Sequence, residues 1–160
     1  MDLSSFNQLP AAAAFDAVRP CADVPAWIET VVTGRPYETV ADLLALAEAA
    51  AASWTPADVD AALAHHPRIG EQSVGDDIEA GLSRSEQSTV TGQDAAIAAG
   101  NRAYEAKFDR IFLIRAAGRS ANDVLDQLTA RLDNDPATEV GIVAGQLREI
   151  ALLRLEGIFV

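Results

Sequence analysis

Ile111-Phe-Leu-Ile-Arg-Ala116 is the one short run in this chain that favours an extended backbone, and its reading decides the fold class. Apolar runs of this length, rich in aromatic and β-branched residues, are the signature of a buried strand. A strand must pair its N–H and C=O groups with a neighbour, and a single run cannot make a sheet. The segment is therefore expected to be an extended link packed against helices.

Outward from it, the signals on both sides are helical. Downstream, Ser120 is placed to cap a helix through Val124, Leu125, Leu128 and Leu132, and Asp135-Pro136 opens the last helix, with Val143, Leu147, Ile150, Leu153 and Ile158 in register. Upstream, Ser83-Arg84-Ser85-Glu86 has the form of a capping box and predicts a helix running to about Lys107. Nearer the N-terminus, Pro10 opens Ala11–Arg19, with Phe15 and Val18 on one face. Asp23 with Pro25 predicts a helix through Trp27, Ile28, Val31 and Val32 to Gly34. Thr39 precedes the apolar stripe Leu43, Leu44, Leu46 and Ala47, and Thr55-Pro56 opens a helix carrying Val59, Ala62 and Leu63. Alanine, the best helix former, is abundant throughout. From His65 to Leu82 the periodicity stops: three glycines and a proline predict a long loop, a feature that often carries function. The sum is an all-α fold of about seven to eight helices with one extended segment, in a single compact domain over residues 1–160.

A composition of 49% hydrophobic and 22% charged residues suits a globular core, and a net charge of −12 argues against nucleic acid and anionic membranes. It does not exclude a small anionic substrate held by local arginines. The single cysteine, Cys21, allows no internal disulfide and reads as a small buried residue. No apolar run reaches the length of a membrane span, and Met1–Pro10 lacks a leader pattern, so a reducing cytoplasm is the expected location.

Four groups of residues could carry chemistry. His66 stands where a helix stops, and Pro67 biases it away from the helical region. A rigidly held imidazole suits a general acid or base, but a helix-terminal histidine without a role fits the same spacing. His65 and His66 are adjacent, and no H-x-x-x-H or C-x-x-C spacing accompanies them, so no metal site is expected. Asp133-Asn134-Asp135 lacks the glycine and the closing glutamate of a calcium loop. Glu86 is either a capping carboxylate or a partner that orients His66. Among Arg68, Arg84, Arg115 and Arg154, the last is set between Leu152, Leu153 and Leu155. A guanidinium so placed needs either a structural carboxylate or a substrate anion.

Read together, His66-Pro67, Ser83-x-x-Glu86-Gln87, Tyr104-x-x-Lys107-Phe108, the IFLIRA segment, Arg131-Leu132-Asp133-Asn134-Asp135 and Leu153-Arg154-Leu155 occur in an order that resembles the 2-oxo-4-hydroxy-4-carboxy-5-ureidoimidazoline (OHCU) decarboxylases. Phe6-Asn7, Trp27 and Arg35-Pro36-Tyr37 extend the resemblance over the whole chain. It implies an all-α fold and removal of CO2 from a small anionic ureidoimidazoline to give (S)-allantoin in urate breakdown, without metal or organic cofactor. It implies His66 and Glu86 as the catalytic pair. It implies substrate contacts at Pro67, Ser83, Arg84, Ser85 and Gln87, at Phe112, Leu113, Ile114, Arg115 and Ala116, and at Arg154. A homodimer is left open. One departure stands out: Lys107-Phe108-Asp109-Arg110 carries Asp109 where the family pattern has glycine, so Asp109 is expected to tolerate a left-handed backbone. A hydrolase of a related ureido compound and a non-catalytic helical module remain the alternatives from the residues alone.

Overall fold

The computed structural model describes residues 1–71 and 77–159. Among them are nine α-helices and no strand: α1 (Leu3–Gln8), α2 (Ala11–Val18), α3 (Pro25–Thr33), α4 (Val40–Ala51), α5 (Pro56–Leu63), α6 (Ile78–Glu86), α7 (Asp94–Phe108), α8 (Ala121–Arg131) and α9 (Pro136–Gly157), with a 3₁₀ turn at Arg19–Cys21. The fold is all-α, as the sequence predicts. None of the described helices is long and apolar enough to cross a membrane.

Local chemistry sets most helix starts. Thr39 with Asp42, Thr55 with Asp58 and Ser120 with Asp123 each form a reciprocal capping box. Asp135 accepts the Thr138 N–H at 2.9 Å and opens α9. Hydrogen bonds from Thr55 hold the Asp58 carboxyl below its ordinary range, and those from Ser120 do the same for Asp123.

Three expectations need correction. Asp23 does not cap α3: Val24 holds that position without a side-chain bond, and Pro25 alone supplies the start. Ser83 does not begin a helix. It lies inside α6, whose cap is Asp77, with its carboxylate on the Ala80 N–H at 2.7 Å. The Ser83-x-x-Glu86 spacing falls in the last turns of α6, where the backbone N–H groups a capping box would bind already bond within the helix. The helix predicted from Ser83 to about Lys107 is therefore two, α6 and α7, parted by residues 87–93, with Gly92 at φ +96°. The long loop is correspondingly shorter, because Ile78–Leu82 is helical, and its part at 72–76 lies outside the described residues.

By internal packing the chain divides into two compact units, Met1–His65 with Arg148–Val160, and His66–Leu147. In the first, α3 packs on α2 and α4. Trp27 is buried, donates its indole N–H to the Ala47 carbonyl at 2.9 Å and meets Trp54 edge-on at 5.7 Å. Cys21 is buried, as expected. Arg35 lies over the buried Phe6 ring and donates to the carbonyls of Phe6, Leu9 and Val32.

In the second unit α7 packs on α8, closely enough at Gly100 that any Cβ there would collide with Leu128. The segment Ile111–Ala116 is in no helix and joins no ladder. Phe112, Ile114 and Ala116 enter one core cluster with Ile97, Tyr104, Phe108, Val124 and Leu128, while Leu113 is buried outside it. Burial on both faces accounts for a strand-like composition in a segment that is not a strand. Asp109, which ends α7, sits at φ 54°, ψ 36°, the left-handed conformation expected of it. Its side chain is exposed, so the cost of changing it is the cost of that backbone. Asp109→Val is expected to lower stability by about 1–2 kcal/mol, while Asp109→Gly keeps or raises it. Urea midpoints at unchanged slope check this, and a valine variant as stable as the wild type would contradict it.

Candidate active site

His66 follows α5, and both it and Pro67 are half-buried. The chain just beyond is fixed from two helices of the second unit. Asn101, buried on α7, donates its side-chain amide to the Ile69 carbonyl at 2.9 Å. Gln87, at the end of α6, accepts the Gly70 N–H at 2.9 Å. Arg68 makes a two-point pair with Glu105 of α7 and also faces Glu71 at 3.8 Å. The Arg68 guanidinium is thus engaged by structural carboxylates, and Glu105 first of all pushes its pKa up. Gly70 takes φ +84°, which glycine allows at little cost. These contacts fix the backbone that follows His66.

Ser83 and Glu86 lie one turn apart on α6 and share a face, with Ser83 buried and Glu86 half-buried. Arg84 and Ser85, on the intervening positions, are exposed. The expected contact stretch Ser83–Gln87 therefore presents two faces. Arg84 and Gln87 line a cleft of about 390 Å³ with Gly70, Glu71 and Asp94. Arg68, Asn101, Arg102 and Glu105 line a second, of about 320 Å³, which shares Gly70, Glu71 and Asp94.

The segment Phe112–Ala116 is held through its backbone. Arg131 of α8 donates Nη1 to the Leu113 carbonyl at 2.7 Å, and the Arg115 N–H donates to Gln146 Oε1 of α9 at 2.9 Å. Arg131 is itself buried in a polar cluster. Its Nε donates to Glu139 Oε1 at 2.7 Å, Tyr104 donates its hydroxyl to the same oxygen at 2.6 Å, and Asn134 donates to Oε2 at 3.1 Å. The guanidinium lies 4.5 Å from the centre of the Phe112 ring. Burial first, and then the bond to Glu139, drives the Tyr104 pKa well above its usual value, so it stays a neutral donor. Arg131, Glu139, Gln146 and Asn101 were not singled out as site residues from sequence. Arg131 and Tyr104 lie in motifs that carry the resemblance, but Gln146 has no local signal.

In the first unit, Arg154 is buried, as its apolar neighbours predict, and its Nη1 donates to the Pro20 carbonyl at 3.1 Å. His65 is exposed and faces Asp23 at 3.6 Å. Among the described residues no three His, Cys, Asp or Glu side chains are grouped to hold a metal ion.

An all-α fold in which the backbone after His66 and the segment Phe112–Ala116 are both held by side chains defines the class. Residues 7–156 match the OHCU decarboxylase family, and the chain belongs to it. That family consists of carboxy-lyases. Over 106 residues the chain is 36% identical to the uric acid degradation bifunctional protein TTL of Arabidopsis thaliana, a match spanning 61% of this chain and 32%, about a third, of that protein. It is similar to an OHCU decarboxylase crystallised in the presence of (S)-allantoin, with 28% identity, a TM-score of 0.75, and coverage of 90% of this chain and 97% of that one. An (S)-allantoin synthase shares the fold at 18% identity, with a TM-score of 0.71 over 99% of this chain and 54% of that one.

Proposed function

We propose that residues 1–160 act as one catalytic domain that decarboxylates OHCU to (S)-allantoin and CO2 in urate breakdown, without cofactor. The observation that carries this reading is the family match over residues 7–156, within which the motif residues stand in order. Breaking the bond to the carboxylate leaves its electron pair on a ring carbon, and the adjacent C=N and ureido system delocalises it. The substrate thus supplies its own electron sink. What the protein must add is orientation of the carboxylate out of the ring plane, hydrogen bonds aimed at the developing charge, and a proton delivered to one face. In this reading His66 is the acid–base group, Glu86 orients its imidazole, and Arg154 anchors an anionic or carbonyl group of the substrate. Pro67, the face of α6 and the segment Phe112–Ala116 shape the rest of the binding surface.

The fixed backbone after His66 supports the role, because proton transfer needs a donor held in place. Arg154→Lys is expected to keep the fold and to lower kcat/KM by roughly 10-fold or more, since an ammonium cannot reproduce planar two-point contact. A lysine variant with wild-type kcat/KM would remove Arg154 from substrate binding. The reading as a whole is tested by supplying freshly generated OHCU and measuring CO2. Release above the spontaneous rate supports decarboxylation, and consumption of substrate without extra CO2 points to hydrolysis instead.

A further inference from the structure

We propose that Gln146 and Arg131 are positioning residues that clamp the backbone of the segment Phe112–Ala116 on either side of Ile114, so that the polar groups of Ile114 itself are presented to substrate. The inference rests on the functional reading above, which makes this segment a substrate contact.

A segment outside any sheet must find partners for its backbone groups elsewhere. In this segment the backbone groups of Leu113 and Arg115, on either side of Ile114, are bound by side chains from three places. Arg131 donates to the Leu113 carbonyl, Gln146 accepts the Arg115 N–H, and Arg119 donates its Nε to the Arg115 carbonyl at 3.0 Å. The two peptide groups flanking Ile114 are thus both fixed, and Ile114 turns its own polar groups the other way. Side-chain packing cannot do this alone. Apolar contacts of Phe112 and Ile114 fix depth in the core but are indifferent to a small slide or rotation of the peptide planes, whereas hydrogen bonds are directional. Arg131 can act as a rigid ruler because Glu139, held in turn by Tyr104 and Asn134, fixes its guanidinium.

Arg131 variants risk the fold, so Gln146 is the lever. It is half-buried in the middle of α9, and Gln146→Leu removes the acceptor at similar size, while Gln146→Glu keeps an acceptor. Two quantities are read: amide hydrogen exchange at Arg115, and the separate kcat and KM for OHCU. In Gln146→Leu, Arg115 exchange is expected to quicken by at least about tenfold and KM to rise about tenfold, with kcat lowered less than about threefold. Gln146→Glu is expected to restore both, which a merely structural glutamine would not require. A leucine variant whose KM stays within about twofold of wild type, or whose Arg115 amide exchanges no faster, overturns the proposal. A wild-type chain that forms no allantoin sinks the functional reading instead, and the Arg115 exchange rates then decide the clamp by themselves.

Discussion

His66→Ala is expected to lose at least about a hundredfold in kcat/KM for allantoin formation, because general acid–base catalysis contributes roughly 10²–10⁴-fold. The fold should survive. His66 lies beyond the end of α5, is only half-buried, and is not part of the core cluster around Tyr104 and Phe112. Far-UV circular dichroism and the urea midpoint of the variant should therefore stay near wild type. What remains should also lose its handedness, since the non-enzymatic product is protonated from either face. Neighbouring His65 supplies the control: it is exposed and turned towards Asp23, so His65→Ala should retain activity. Near wild-type turnover in the His66 variant would take this histidine out of the mechanism.

Glu139→Ala should be the most damaging change to stability, at about 3–5 kcal/mol, because it leaves the Arg131 charge buried without its counter-charge. Glu139 is 1% exposed and Arg131 4%. The carboxylate also accepts from Tyr104 and Asn134, so its loss strands two further donors. Against a total of about 5–15 kcal/mol for a protein of ordinary stability, that is a large share. Glu139→Gln keeps the shape and an acceptor oxygen and should cost less. Urea unfolding of the three proteins measures the difference. A loss under about 1 kcal/mol in the alanine variant would mean that water reaches the guanidinium, contrary to its burial.

Features written in short-range chemistry were legible from sequence. Thr39, Thr55 and Ser120 each start a helix as read, and each does so through a box with the aspartate three residues on, a partner the reading had not named. The burial of Arg154 followed from its leucine neighbours, and the left-handed Asp109 from its standing where the resembling family has glycine. The same local logic failed at Ser83, because a capping-box spacing says nothing about which helix end it occupies. It also passed over α1, which Asp2 caps through the Ser5 N–H. The polar scaffolding of the site was hidden for a different reason. Asn101 reaches a carbonyl 32 positions away, and the Gln146 and Arg131 contacts to the segment Phe112–Ala116 span 31 and 18. A side-chain amide on a helix carries no mark of the backbone group it will meet. Such pairings exist only once tertiary packing has formed.

If residues 1–160 are the proposed decarboxylase, they turn OHCU into one enantiomer of allantoin without any other protein. The most direct test supplies OHCU as it is generated to the chelator-treated protein and follows allantoin by circular dichroism. Formation is expected faster than the spontaneous rate and exclusively of the (S) form, unchanged by added zinc. Racemic allantoin at the spontaneous rate, or activity that appears only when metal is returned, would contradict it.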